Sequence, residues 1–231
     1  RIYHGGVLYP HARHTRNPKK ILLKLFDSFL KQGGSFEKQN VETINFSLEN
    51  KPKIKTNQKL YTFDKAVIAC GAFSKKITDQ VGEKIPLDTE RGYHLWLPDP
   101  GIEMRRPVVV GDHHFGISPM TGGIRLAGTV EFAGLNLPPY WQRADVLAEL
   151  AEDFVPGLNK VGAKRWMGYR PSLPDSLPVL GEDPGRRNLY WAFGHGHLGL
   201  TMAAITGKII AELASGSLPE FDLSPFRIDR F

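Results

Sequence analysis

The sequence predicts a mixed fold of helices and short strands, either α+β or interleaved α/β. Three observations support this prediction. Residues 17–32 carry apolar side chains at helical spacing, residues 86–130 hold short β-type runs between glycines and prolines, and residues 189–214 form a strand–glycine–helix unit. A chain of 231 residues with both periodicities is large enough for one mixed domain or two small ones.

The first half of the chain begins with a predicted helix over residues 17–32. Asn17 can cap it, Pro18 suits its first turn, and Gly33 supplies a C-terminal stop. Strands are expected at residues 41–48 and 59–63. The continuous apolar run at residues 66–70 is typical of a strand buried on both faces. The apolar face of the helix is formed by Ile21, Leu22, Leu25, Phe26, Phe29 and Leu30.

The second half of the chain is predicted to be mainly β, with a helix inserted and another at its end. Glycine and proline turns separate the short strands, which is usual for antiparallel sheets. The expected strands are 93–97, 108–110, 114–118, 124–130, 166–170 and 189–193, and the expected helices are 140–154 and 200–214.

Composition and charge exclude several classes of protein. The net charge is +6, but the basic residues are scattered, which disfavours a nucleic-acid binder. A single cysteine, Cys70, cannot form an intrachain disulfide and favours a reducing compartment. No stretch approaches the ~18 apolar residues of a membrane span. Because the sequence starts at Arg1 without a methionine, we expect it to be part of a longer protein.

The run Gly194-His195-Gly196-His197-Leu198-Gly199 has the spacing of a dinucleotide-binding fingerprint between a strand and a helix. A fingerprint also needs a second parallel strand after that helix, and the remaining sequence is too short for one. The glycines can instead let backbone N–H groups approach an anion at the helix start. The alternative is a tight turn that needs glycine for steric reasons, with Thr201 capping the helix.

A second candidate site residue is Arg170, at the end of a predicted strand and directly before Pro171. A guanidinium held there presents a planar fork that suits a carboxylate. The alternative is a structural ion pair with Asp175 or Glu182.

Metal binding and nucleophilic catalysis are both disfavoured. His113 and His114 would point to opposite faces of a strand, and His195 with His197 makes only a pair, so no metal is expected. Ser74 and Ser172 lack the motif of a nucleophile elbow. Cys70 in an apolar strand is interpreted as an inert core thiol.

Taken together, several segments resemble the FAD-dependent D-amino-acid oxidase and glycine oxidase family, most closely the small-subunit type of D-amino-acid dehydrogenase. Residues 66–74 are similar to the family strand that closes over the FAD adenosine. Residues 85–93 look like the crossing into the substrate domain, and residues 128–132 look like an inner strand of that domain. The Arg170 segment and residues 194–216 complete the resemblance.

The resemblance implies a fold and a domain division. It implies a partial FAD-binding Rossmann-like domain interleaved with an antiparallel β-sheet substrate domain, with the N-terminal ADP-binding unit absent. Residues 1–16 would be the tail of a substrate-domain segment. Residues 17–86 and 169–231 would belong to the FAD-binding domain, and residues 87–168 would form the substrate-binding domain.

The resemblance also implies site residues. Arg170 would pair with the substrate carboxylate, and Val41 and Gly71 would meet the adenosine portion of FAD. His114 and Glu131 are candidate pocket residues, with a surface or core role as the alternative for each. The flavin ring would be held by Gly194, His195, Gly196, His197, Leu198, Gly199, Leu200 and Thr201.

The implied function is oxidative deamination of a small D-amino acid, with hydride transfer from Cα to flavin N5. One alternative is oxidation of a secondary amine such as sarcosine or an imino acid, and another is a non-catalytic or assembly subunit. The expected partners are an amino-acid substrate, an electron acceptor (oxygen or a quinone-linked chain) and the missing N-terminal segment. The expected location is the cytoplasm, with peripheral association at the inner face of the cell membrane left open.

Overall fold

The computed structural model describes residues 4–231, and the described residues contain four α-helices and eleven β-strands. The strands form three sheets, which confirms the predicted mixed α/β class. The elements are α1 (Pro18–Lys31), β1 (Val41–Phe46), β2 (Pro52–Thr56), β3 (Leu60–Thr62), β4 (Ala66–Ile68), α2 (Ser74–Gln80), β5 (Asp88–Leu97), β6 (Val108–Val110), β7 (Phe115–Met120), β8 (Gly123–Phe132), α3 (Gln142–Phe154), β9 (Lys164–Ser172), β10 (Val179–Glu182), β11 (Leu189–Phe193) and α4 (Gly199–Ala214).

The chain divides into two compact units. The first contains the residues up to Phe36, Arg91–Glu131 and Leu137–Gly168. It holds most of a five-stranded sheet with the order β6-β7-β8-β5-β9. Helix α3 packs Leu147 and Ala151 into a core that it shares with apolar side chains of that sheet. The strands direct these side chains to one face, since successive residues of a strand point to opposite faces.

The second unit contains Glu37–Glu90, Phe132–Asn136 and Tyr169–Phe231. It holds two three-stranded sheets, with orders β1-β2-β3 and β10-β11-β4. Strand β11 lies in the centre of the latter, antiparallel to β10 and parallel to β4. The core of the unit is built around the fully buried Trp191, whose Nε1 donates to Asp183 Oδ2 at 3.2 Å.

The predicted helices are confirmed to within two residues at their ends, since their periodicity and caps are local signals. Asn17 accepts a hydrogen bond from the Lys20 amide at 2.9 Å, as its capping role requires. Three elements were not expected: β2, which lies in a lysine-rich stretch, and the short α2 and β10.

The prediction of a strand buried on both faces at residues 66–70 is wrong. Only Ala66–Ile68 form β4, which has one neighbouring strand in the described chain and leaves Val67 44% exposed. Cys70 follows the strand and is exposed as a residue, so it is not a core side chain. Desolvation nevertheless raises the pKa of its thiol, which disfavours a reactive thiolate.

In the part of the chain that the structure describes, no helix combines the length and apolarity that a membrane span requires. The domain boundaries implied by the resemblance stay a prediction.

Candidate functional site

The candidate site begins where β11 ends, at Gly194. This residue has φ of 84°, and a Cβ added to it would lie 2.6 Å from Leu173 Cδ1. Both the left-handed backbone and the close approach of Leu173 exclude a larger residue. The strand therefore turns sharply through a position that only glycine fits.

The chain after Gly194 makes a short 3-10 turn and then enters α4. Gly196 has φ of 51°, and a Cβ there would lie 3.7 Å from Ser172 Oγ. Leu198 is the N-cap residue of α4, and no side chain caps the helix, so the interpretation of Thr201 as a cap is wrong. The first N–H groups of an α-helix have no i−4 partner within the helix, so a helix start of this kind can bind an anion or a polar ring edge.

The side chain of His195 forms a hydrogen bond with a residue in the middle of α4. Its Nε2 lies 3.0 Å from the hydroxyl of the buried Thr206, two turns into the helix. Burial lowers the pKa of His195 below its ordinary value, so the ring is neutral at physiological pH. In a neutral imidazole, Nε2 can either accept a hydrogen bond from the Thr206 hydroxyl or donate one to it, according to the tautomer. Neither arrangement places a charge in the loop.

The side chain of His197 contacts a carboxylate in strand β5. Its Nε2 lies 2.8 Å from Glu90 Oε2 in β5, while the imidazole is more than half exposed. The two histidines of the glycine run therefore connect it to α4 on one side and to β5 on the other. These contacts hold the backbone of residues 195–198 in place.

Arg170 lies in β9, two residues before Ser172 and three before Leu173. Its side chain is partly buried. The carboxylates proposed as its structural partners have other contacts: Asp175 receives two hydrogen bonds from Arg230, at 2.7 and 3.3 Å. Glu182 Oε1 accepts from the Asn188 amide at 3.0 Å. The Arg230 hydrogen bonds hold the pKa of Asp175 below its ordinary value.

Tyr169, next to Arg170, anchors this strand end to its surroundings in the second unit. Its hydroxyl donates to the Leu135 carbonyl at 3.4 Å, and its ring meets Phe73 edge to face at 5.9 Å. Phe73 lies two residues after Gly71, which has φ of 55° and open space around its Cβ position. Val41 opens β1 of the same unit and is 41% exposed.

The two remaining candidates, Glu131 and His114, lie in the first unit. Glu131 Oε2 accepts from the Tyr93 hydroxyl at 2.5 Å and lies 3.6 Å from the fully buried Arg91. These contacts show Glu131 in a structural network, and a direct role in the reaction stays a prediction. His114 is exposed with φ of 52°, just before β7, and not in a strand as expected.

The described residues hold no group of three or more histidine, cysteine, aspartate or glutamate side chains that suits a metal ion.

The geometry of residues 194–201 fits the ring end of a flavin. Gly194 and Gly196 form a turn in which a Cβ would meet neighbouring atoms or require a strained backbone. Leu198 and Leu200 are both about half exposed beside the uncapped helix start, where they offer apolar surface to a flat ring. An isoalloxazine ring has apolar faces and a polar edge. Exposed apolar side chains suit its faces, and backbone N–H donors suit its edge.

Sequence reasoning missed several residues that complete this site: Thr206, Glu90, Ser172 and Leu173. Only Ser172 and Leu173 carried a signal, since they directly follow the Arg170-Pro171 pair. Thr206 and Glu90 bind the glycine run from 11 and 107 residues away, and no local pattern predicts such contacts.

Comparison with known proteins identifies the family of this chain. The family described as DAO, FAD dependent oxidoreductase, matches residues 1–213. A protein named D-amino-acid oxidase from Bradyrhizobium diazoefficiens is 36% identical over 233 residues, covering 99% of this chain and 55% of the relative. A protein named D-amino acid dehydrogenase from Vibrio atlanticus is 31% identical over 233 residues, covering 98% of this chain and 55% of the relative.

Among solved structures, glycine oxidase from Geobacillus kaustophilus superimposes with a TM-score of 0.75 and 26% sequence identity, covering 85% of this chain and 53% of that one. The chain thus spans about half the length of the curated relatives it matches. The matched family uses FAD as its cofactor. On the match of 213 residues and the 36% identity, this chain belongs to the DAO family of FAD dependent oxidoreductases.

Proposed function

We propose that this chain supplies the substrate-binding and flavin-ring portion of an enzyme that oxidises the Cα–N bond of a small amino acid, with a D-amino acid as the first candidate. The observation that carries the proposal is the packing of the Arg170 strand end on the glycine run. Leu173 meets Gly194 and Ser172 faces Gly196, so both motifs belong to one local structure.

Arg170 is proposed to bind the substrate carboxylate through its planar guanidinium. The following Pro171 restricts the backbone of Arg170, and Tyr169 fixes the strand through Leu135 and Phe73. A carboxylate held in a bidentate pair leaves the substrate little freedom to rotate, which orients its Cα–H bond. FAD, when bound, supplies the hydride acceptor.

The glycine run is proposed to hold the ring end of FAD. The N–H groups at the start of α4, which no N-cap side chain binds, would donate to its polar edge, where the helix dipole favours negative charge. His195 and His197 would keep these donors in place through Thr206 and Glu90. Val41 and Gly71 are proposed to meet the adenosine portion.

His114 and Glu131 remain proposed pocket residues, and the contacts of Glu131 favour a positioning role for it. The proposed partners are an amino-acid substrate, an electron acceptor that is oxygen or a quinone-linked chain, and an N-terminal ADP-binding segment. The cytoplasm is the proposed location, with the inner face of the cell membrane as the alternative.

Replacement of Arg170 tests the proposal. In the FAD-loaded protein, Arg170→Leu is expected to raise KM for the best amino acid by about a hundredfold or more, because two charge-assisted hydrogen bonds are lost, and to lower kcat. The matched control is Arg227→Leu, which removes an exposed arginine paired with Asp229 and should leave both constants unchanged. An Arg170→Leu enzyme with an unchanged kcat/KM would overturn the carboxylate assignment.

A substrate panel separates the remaining alternatives. Oxidation of D-alanine or glycine supports the primary-amine reaction, whereas turnover of sarcosine or proline alone would favour a secondary amine. A protein that shows no flavin absorbance after loading would instead support a non-catalytic subunit.

A further inference from the structure

Strands β8 and β5 are neighbours in the sheet of the first unit, and each carries a basic side chain on the face turned away from α3. In β8, Arg125 lies between Ile124 and Leu126, which are buried in the core that the sheet shares with α3. In β5, His94 precedes Leu95 of the same core. Successive side chains of a strand point to opposite faces, so Arg125 and His94 both lie on the face away from that core.

Strand β9, the next neighbour of β5, adds Trp166 to this face. The preceding Arg165 donates from Nε to Asp145 Oδ1 of α3 at 2.7 Å, so Trp166 points to the other face of the sheet. The indole stacks on the ring of His94, with 4.6 Å between centroids and 15° between planes. It also covers Gly168, where an added Cβ would clash with the ring. Three neighbouring strands thus place a guanidinium, an imidazole and an indole side by side.

Arg125 lacks an acceptor for its buried Nε atom among the described residues. The ion pairs described in the first unit join Arg91, Arg105, Lys160 and Arg165 to carboxylates, and Arg125 is in none of them. Buried donors in folded proteins are normally satisfied, so this atom calls for an acceptor. Because a guanidinium holds its donors in a fixed planar fork, a carboxylate is an acceptor that fits it well.

The other two side chains suit the same kind of ligand. Burial, and then the positive charge of Arg125, lower the pKa of His94 to about 4, so its ring is neutral at physiological pH. A neutral imidazole still carries one N–H that can donate to an anion. The indole of Trp166 is 52% exposed and offers apolar surface beside the charge. A ligand that joins a carboxylate to a short apolar chain matches all three side chains.

We propose that Arg125, His94 and Trp166 form a binding site for a carboxylate, called the Arg125 site. The guanidinium holds the carboxylate, and the apolar part of the ligand packs on the indole. The carboxylate has two sources, the side chain of an acidic amino-acid substrate or a free carboxylic acid. For the first source the inference rests on the proposed function and names the class of amino acid, whereas for the second it is independent of that function.

Binding is tested by adding sodium butyrate to the FAD-loaded protein, since butyrate joins a carboxylate to a propyl chain. The indole N–H signal of Trp166 in the NMR spectrum, identified by its loss in Trp166→Phe, should move as butyrate is added. The signal of the fully buried Trp191 should stay in place. The compound n-butylammonium, which has a similar length and the opposite charge, should leave both signals unchanged.

Isothermal titration calorimetry measures which side chains carry the binding. Arg125→Gln should raise the Kd for butyrate by at least about tenfold, because charge-assisted hydrogen bonds are lost. The matched control is Arg165→Gln, on the α3 face of the same sheet, which should change the Kd by less than about twofold. Both variants are also made in an Arg170→Leu protein, so that binding at the proposed substrate arginine does not contribute.

A second variant keeps the test decisive if Arg125→Gln does not fold. Trp166→Ala replaces a half-exposed side chain and should raise the Kd by about threefold or more, because the apolar part of butyrate loses its contact. The proposal is overturned by an unmoved Trp166 signal, by equal responses to butyrate and n-butylammonium, or by equal Kd values for Arg125→Gln and Arg165→Gln.

Kinetics with D-glutamate and D-glutamine, which differ only in the side-chain carboxylate, distinguish the two sources. If the carboxylate belongs to the substrate, Arg125→Gln should raise KM at least about tenfold for D-glutamate and less than about twofold for D-glutamine. Equal small effects on both substrates, together with butyrate binding that depends on Arg125, would support a free carboxylic acid. Butyrate binding by a protein that oxidises no amino acid would contradict the proposed reaction and leave the Arg125 site supported.

Discussion

Leu173 closes directly over Gly194: a Cβ at Gly194 would lie 2.6 Å from the Leu173 Cδ1 atom. This contact joins the end of the Arg170 strand to the glycine run that begins α4. A core leucine and a glycine with positive φ thus hold together the two motifs that the proposed function requires.

Gly194→Ala is expected to destabilise the protein by about 1–3 kcal/mol more than Gly216→Ala. Both glycines have positive φ, of 84° and 80°, but a Cβ at Gly216 meets open space. The difference between the two variants in urea unfolding therefore isolates the clash with Leu173. Gly194→Ala combined with Leu173→Ala should cost less than the sum of the single changes, and strict additivity would show that the contact is not tight.

The His195–Thr206 hydrogen bond should contribute about 0.5–1.5 kcal/mol to stability. A double-mutant cycle with His195→Phe and Thr206→Val measures it, since both replacements keep most of the side-chain volume. The matched comparison is His197→Phe with Glu90→Gln, a more exposed pair for which less than about 1 kcal/mol is expected. A coupling energy near zero for His195 and Thr206 would mean that the contact does not hold the glycine run.

Glu131→Gln is expected to cost about 3 kcal/mol of unfolding free energy, because it leaves Arg91 buried with a neutral partner. The control is Glu103→Gln, whose partner Arg105 lies at a similar 3.4 Å but is almost fully exposed, and which should cost less than about 1 kcal/mol. Equal costs for the two variants would contradict a structural role for the Arg91–Glu131 pair.

The stability of the first unit should fall as the pH drops below 6.5, through His94. Burial beside Trp166, with which it stacks at 4.6 Å, and the nearby charge of Arg125 lower the pKa of His94 from 6.5 to about 4. Below pH 6.5 the unfolded chain binds a proton that the folded chain does not, so stability is lost until the pH reaches about 4. The loss attributable to His94 is about 3 kcal/mol at most.

Chemical unfolding of the wild type and of His94→Gln between pH 7 and pH 4 measures this effect. The stability difference between the two proteins should shift in favour of the variant as the pH falls. Parallel pH profiles would contradict the prediction, because other titrating groups affect both proteins equally.

Much of the secondary structure was predictable from local patterns. Helices α1, α3 and α4 have apolar residues at helical spacing, and β11 is a short apolar run before a glycine. The glycine spacing at 194–199 and the Arg170-Pro171 pair were also visible, because the backbone demands of glycine and proline act within a few residues.

The tertiary structure alone determined how these pieces act together. Leu173 on Gly194, Thr206 on His195 and Glu90 on His197 are contacts between elements, and their partners are not periodic in the sequence. The structure also shows that Cys70 is exposed and not a core residue as predicted, and that Glu131 lies beside Arg91. Residue types determine which turns and helices can form, whereas burial and ion pairing depend on long-range packing of the whole chain.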